Sequence, residues 1–115
     1  MIVAHERDVQ RLKLEGDSLK NVHKKVLISP QEGWEGYVMR VFDLDVDGYT
    51  PKHSHPWPHI NYILKGKGTL HLDGIDHEVE AGSYAYVPEN KMHQFSNQGN
   101  ELFSMICIVP EEGDQ

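Results

Sequence analysis

Residues 53–59 read His-Ser-His-Pro-Trp-Pro-His, three imidazoles and two prolines around one tryptophan. Neutral imidazole is a nitrogen ligand for transition metals, and rings that would repel one another when protonated are most simply tolerated together by sharing a cation. Side chains two apart on an extended chain share a face, so His53 and His55 point to the same side. His59 keeps that parity if the extension persists through the prolines. A further imidazole, His93, follows the turn formed by residues 88–92 and can be brought across from the first three by antiparallel folding. Pro51, Pro56 and Pro58 each remove a ladder donor, which restricts this segment to an edge, a bulge or the rim of a barrel, where ligands enter. His5, His23, His71 and His77 lack such a cluster and read as surface or satisfied structural residues.

The elements that must position these rings are short and β-rich. From Val22 onward the chain runs VHKKVLIS, YVMRVFDLDV, HINYILKG, GTLHLDG, DHEVEAG, SYAYVPE, HQFSN and LFSMICIVP, separated by turn residues. Asp73-Gly74 is a two-residue hairpin signal, and Gly66-Lys67-Gly68 reads as another tight connection. Between Asp8 and Leu19 the helix formers are interrupted by Gly16 and lack a sustained apolar stripe, so at most a turn or two is expected there. Many short strands without crossover helices predict an antiparallel sandwich or barrel and exclude a parallel sheet. On the last run Phe103, Met105, Cys107 and Val109 share one parity, and Leu102, Ser104, Ile106 and Ile108 the other; one of these sets faces inward.

At 115 residues the chain suits one domain spanning 1–115. Its 18 acidic against 11 basic residues, a net charge of -7, argue against nucleic acid as a partner. No apolar run approaches a membrane span, and the opening MIVAHERDVQ has charges where a secretory signal needs apolar residues. The single cysteine, Cys107, closes no internal disulfide. A soluble, cytoplasmic protein is expected.

The order of these residues resembles the cupins, small double-stranded β-helix proteins. Their first motif places a glycine, His-x-His, a glutamate and a glycine at set intervals; here Gly48, His53, His55 and Gly66 match, with His59 where the glutamate belongs. Their second motif is matched by Gly82, Pro88, His93 and Asn97, with Asn90 in place of an internal glycine; asparagine tolerates the left-handed conformation a turn there needs. The resemblance runs from Gly48 to Asn97, with motif 1 at about 48–66 and motif 2 at about 82–97. It implies an all-β jelly-roll barrel and a divalent metal held by His53, His55 and His93, with His59 as a fourth ligand, as in compact bacterial cupins with an all-histidine site. Manganese or iron is the leading occupant, with copper, zinc or nickel as alternatives.

Four neutral imidazoles leave the full charge of a divalent ion uncompensated, so the centre favours anions or an enolate. Around it, Trp57 either roofs the cavity or packs as a barrel plug or dimer contact. Arg40 and Tyr62 are candidates for orienting an anionic substrate, and Cys107 is either an oxidisable thiol near the metal or a core residue. Three readings of function follow, of which the first is preferred on the sequence and the others are alternatives. The first is a dioxygenase-like oxidoreductase acting on a small anionic or oxygen-rich molecule. The second is a non-redox isomerase or lyase, for which Glu89 and Tyr62 are the candidate bases. The third is a binding module without catalysis. A homodimer is expected through sheet edges, with residues 22–28 supplying one edge.

Overall fold

The computed structural model describes residues 1–114. Nine strands make up the fold: β1 (Leu12–Lys13), β2 (Lys20–Ile28), β3 (Tyr37–Tyr49), β4 (His59–Lys65), β5 (Lys67–Leu72), β6 (Ile75–Glu80), β7 (Tyr84–Val87), β8 (His93–Asn97) and β9 (Phe103–Pro110). Every pairing is antiparallel, in the order β6-β5-β8-β3-β9-β4-β7, with β2 added to β3 and β1 to β2. The order describes two curved sheets. One carries β2, β3, β9, β4 and β7; the other carries β6, β5 and β8. They meet where the end of β3 pairs Tyr49 with Ser96 of β8, and the product is the jelly-roll barrel expected from the sequence. No helix among the described residues is long and apolar enough to cross a membrane.

Local chemistry explains the corners. Asp73 and Gly74 have φ of 51° and 84°, the left-handed pair that joins β5 to β6 in a tight hairpin. Gly66, with φ of 83°, is not a hairpin but a corner at which the chain leaves one sheet for the other. A Cβ there would collide with the Leu102 carbonyl oxygen and crowd the Phe103 backbone. Gly66→Ala therefore combines left-handed strain with a backbone clash, and we expect it to cost about 3 kcal/mol or more, read as a lower urea midpoint with the m-value unchanged. Between residues 8 and 19 the structure differs from the expected helical turn. The 3₁₀ turn lies earlier, at Glu6–Asp8, while Leu12 and Lys13 pair with Lys24 and His23 as β1. Tertiary pairing overrides the weak local helix preference.

The core fills the barrel from inside. Val22, Leu44, Ile63, Leu70, Phe95, Phe103 and Met105 form one cluster, with Leu14 and Leu19 of the N-terminal arm packed onto it. Each such side chain contributes roughly 1.5–3 kcal/mol by leaving water. On β9 the inward set is Phe103, Met105, Cys107 and Val109, all buried, while Ile106 and Ile108 face outward. Ser104 is buried on the outer side because its hydroxyl donates to Asp43 at 2.6 Å. Arg11 and Lys25 reach the other oxygen of Asp43, at 3.2 and 3.6 Å. Burial alone would raise the Asp43 pKa, but the Ser104 hydrogen bond and the charges of Lys25 and Arg11 outweigh it and hold the carboxyl low. This cluster ties the N-terminal arm to the sheet.

Candidate metal centre

The proline-rich segment is not a continuous strand. Ahead of His59 only His53 pairs, in an isolated bridge with His93, where each backbone N–H donates to the other's carbonyl at 3.1 and 2.9 Å. A bend at Pro56 and Trp57 then redirects the chain into β4, which begins at His59. The rim placement expected from the prolines holds; the extended geometry expected through them does not. The facing turn is clasped from the other side. Asn90, at φ of 64°, donates its N–H to the His55 carbonyl at 2.7 Å, so the left-handed residue that stands in for glycine also fixes the loop carrying His55.

These contacts bring the four rings together. The pairs His53–His55, His53–His93, His55–His93, His55–His59 and His59–His93 have ring centroids 4.8–5.4 Å apart. Ligand atoms of His53, His55 and His93 all lie within 4.8 Å of one another. His59 joins that group through His93, with the two Nε2 atoms 3.2 Å apart. Exposure falls from His53 at the rim to His59 and His93, which are 7% and 3% exposed.

The outer nitrogens of three rings are occupied. Nδ1 of His55 lies 2.7 Å from the Trp57 carbonyl, Nδ1 of His93 lies 2.8 Å from the Lys91 carbonyl, and Nδ1 of His59 lies 2.6 Å from Oδ1 of Asn61. An oxygen acceptor draws the ring proton to Nδ1, which leaves Nε2 as the lone pair facing its neighbours. Two lone pairs 3.2 Å apart without a proton between them repel, but two nitrogens bound to one ion at about 2.1 Å stand roughly 3.0–3.4 Å apart. The donor set fits a transition metal, with supporting acceptors of the kind that hold ligating histidines. Burial, with His93 beside it, pushes the His59 pKa down to about 3. Burial, with His93 and His55 beside it, pushes His53 down to about 4. His93 is lowered by burial and by His55 against the pull of the Lys91 carbonyl. His53, His59 and His93 are thus neutral at ordinary pH, the form that ligates.

The rings open onto a cavity of about 530 Å³. Trp57 lies flat on His55, with ring centroids 4.8 Å apart and 10° between planes, and packs against the cluster of Val38, Cys107 and Val109. It forms a wall of the cavity. Arg40 and Cys107 also line it. Tyr62 does not: strand alternation from the inward His59 puts Asn61 and Ile63 inside, and leaves Tyr62 on the outer face, 49% exposed. Glu89 is likewise exposed, in the turn after β7, and is not part of the cavity wall. Neither Tyr62 nor Glu89 is placed to act on a bound molecule. The sequence reading overlooked Asn61, whose parity with His59 marks it, and the N-terminal residues Leu14, Glu15 and Leu19, which close the cavity from a segment without an inward periodicity. His71 pairs instead with Asp76, and His5 caps the first 3₁₀ turn.

A small antiparallel jelly-roll with imidazoles gathered at one end of its interior defines the class. Residues 40–109 match the Cupin domain family, and the chain belongs to it. Auxin-binding protein 1 of Arabidopsis thaliana is 32% identical over 69 residues, covering 52% of this chain and 35% of that protein. The oxalate-binding protein of Thermotoga maritima is 30% identical over 50 residues, covering 44% of this chain and 41% of that protein. The chain thus spans about two fifths or less of the length of these curated relatives. Among solved structures, the polyketide cyclase RemF from Streptomyces resistomycificus superimposes with a TM-score of 0.90 at 26% identity, over 96% of this chain and 80% of that one. A Thermotoga maritima protein described as a predicted oxalate decarboxylase gives 0.87 at 20% identity, over 95% and 98% of the two chains, a likeness of fold alone.

Proposed function

We propose that the chain is a metal-dependent enzyme in which His53, His55, His59 and His93 hold a divalent ion that acts on small, oxygen-rich, enolisable organic anions. The observation that carries this reading is the set of Nε2 lone pairs turned toward one another, each of three rings held by an acceptor at Nδ1. A bound divalent ion supplies a Lewis acid whose charge no carboxylate ligand offsets. The chain's own residues do the rest. Trp57, Phe42, Met105 and the N-terminal arm wall the cavity with apolar surface and thin the water around a bound molecule. Asn61 holds His59 in one tautomer.

A non-redox reaction through an enolate is our leading reading, supported by the likeness to a polyketide cyclase over nearly the whole chain. The dioxygenase-like reading, with manganese or iron, uses the same four imidazoles and is the alternative. Elemental analysis of untagged protein, followed by turnover and oxygen-uptake assays on diketones, catechols and enediols, separates them. Zinc-loaded protein that exchanges or cyclises a diketone without consuming oxygen supports the first. Oxygen consumption that requires iron or manganese moves the assignment to the second. Protein that carries metal and transforms nothing is a binding module, and protein that takes up no metal overturns the proposal.

We also infer a homodimer, through a face other than the one expected from the sequence. Strand β2 already has β1 on one side and β3 on the other. Exposed Ile60 and Tyr62 of β4 lie opposite exposed Tyr86 and Tyr84 of the edge strand β7, an apolar stripe beside an unpaired ladder that a second copy can extend. Tyr84→Glu with Tyr86→Glu is expected to convert dimer to monomer in sedimentation, with the metal content unchanged.

A further inference from the structure

Three inward side chains form a polar row deep in the otherwise apolar wall. Arg40 of β3 pairs with Cys107 of β9, and Cys107 pairs with Asn61 of β4, so the three stand side by side across adjacent strands. Asn61 in turn holds His59. All line the cavity.

Arg40 is poorly matched to what surrounds it. Arg40 is 8% exposed; its guanidinium donates from Nη2 to the Cys107 sulfur at 3.0 Å and from Nη1 to Asp114 Oδ1 at 3.4 Å, while its Nε is buried with no partner among the described residues. The sulfur is a weak acceptor, and burial raises the Cys107 pKa against the opposing pull of Arg40, so the thiol stays neutral and is no counter-ion. The one carboxylate in reach among the described residues, Asp114, is shared with Lys24 Nζ, which sits closer at 3.2 Å. A buried guanidinium needs strong acceptors to offset its loss of water. The Nε–Nη2 edge, with one N–H free and the other on a thiol, is the edge that takes a carboxylate through two parallel hydrogen bonds.

We propose that Arg40 is the anion anchor of the cavity, gripping a carboxylate of the substrate, and that Asp114 holds its place in the free protein as an internal competitor. The substrate class is then a small organic acid with a carboxylate at one end and a second oxygen donor at the other. The inference rests on the proposed enzyme reading only for that second end, where the oxygen meets the histidine-held ion. Asp114 follows the 3₁₀ turn Glu111–Gly113, whose Gly113 packs against the Trp57 indole at the cavity wall, so this segment reaches Arg40 from a turn rather than as part of a strand.

Malonate is the probe, titrated calorimetrically into zinc-treated and metal-free protein. Arg40→Met is expected to weaken malonate binding about 10- to 100-fold in both forms, the effect of two charge-assisted hydrogen bonds. Asp114→Asn is expected to tighten it about fivefold or more by removing the competitor, and neither variant should change zinc stoichiometry. Malonate affinities within twofold of the parent in the folded variants overturn the proposal. Should Arg40→Met fail to fold, Asp114→Asn decides alone. Protein that takes up no zinc yet binds malonate in an Arg40-dependent way overturns the metal reading and leaves the anchor standing. Zinc uptake with malonate binding indifferent to Arg40 and Asp114 does the reverse.

Discussion

His93→Ala is expected to weaken divalent-metal binding by more than a thousandfold and to remove the stabilisation that metal confers. His93 is the hub of the four rings: its centroid lies 4.8–4.9 Å from those of His53, His55 and His59, and its Nε2 faces that of His59 at 3.2 Å. Loss of a supporting hydrogen bond to a ligand costs about 10- to 100-fold in affinity, so Asn61→Leu should fall in that range and loss of the ligand itself should exceed it. Binding that favours the folded state raises stability by about 4 kcal/mol when the free ion stands at ~1,000 times Kd. Chelation should therefore lower the melting temperature of the parent and leave that of His93→Ala unmoved. Competition against a chromophoric chelator reads the affinity directly, and a variant that holds metal as tightly as the parent would remove His93 from the centre.

Acid should unfold the metal-free protein between about pH 6 and 4. In an unfolded chain these histidines titrate near 6.5, whereas in the fold His59 titrates at about 3 and His53 at about 4, with His93 also lowered. Below pH 6.5 the unfolded chain therefore binds protons that the folded one refuses, and stability falls as pH falls; above 6.5 the two states bind alike and nothing changes. For the buried His59 this amounts to about 1.4 kcal/mol per pH unit, hence roughly 3 kcal/mol between pH 6.5 and 4 from one residue. That is a large part of a typical 5–15 kcal/mol domain stability, about 10 kcal/mol at mid-range. Urea midpoints of chelated protein measured from pH 7.5 to 4 test it. A flat profile would mean the rings are not crowded neutral bases, and His93→Ala should show a shallower decline than the parent because two neighbours lose a shared repulsive partner.

Strand content was readable because β patterning and turn chemistry agree. Each of the eight β-rich runs corresponds to a strand, and Asp73-Gly74 makes the hairpin its left-handed preference predicts. The cluster of His53, His55 and His93 was readable from spacing and family likeness together, neither of which needed the true path of the chain: the segment bends at Pro56 and Trp57, yet these rings gather, with His59 beside His93. Tyr62 was misplaced through an avoidable step, since taking His59 as inward already sends residue 62 outward. Arg40 was legible only as an anomaly in an apolar run. Its partner Asp114 was not, because it arrives through a turn whose position depends on the closed barrel and has no periodicity of its own.

The bridge between His53 and His93 joins segments far apart in the chain, with four strands and their turns between them. The ladder from Tyr37↔Pro110 to Leu44↔Phe103 spans most of the sequence as well. Such topologies fold slowly, on the order of milliseconds to seconds, because distant pieces must meet before any contact rewards the encounter. On the proposed metal reading, the complete set of ligands exists only after the roll has closed. An ion bound there would act as a late lock rather than a seed, so stopped-flow measurements should find refolding equally fast with or without chelator, and unfolding faster with it.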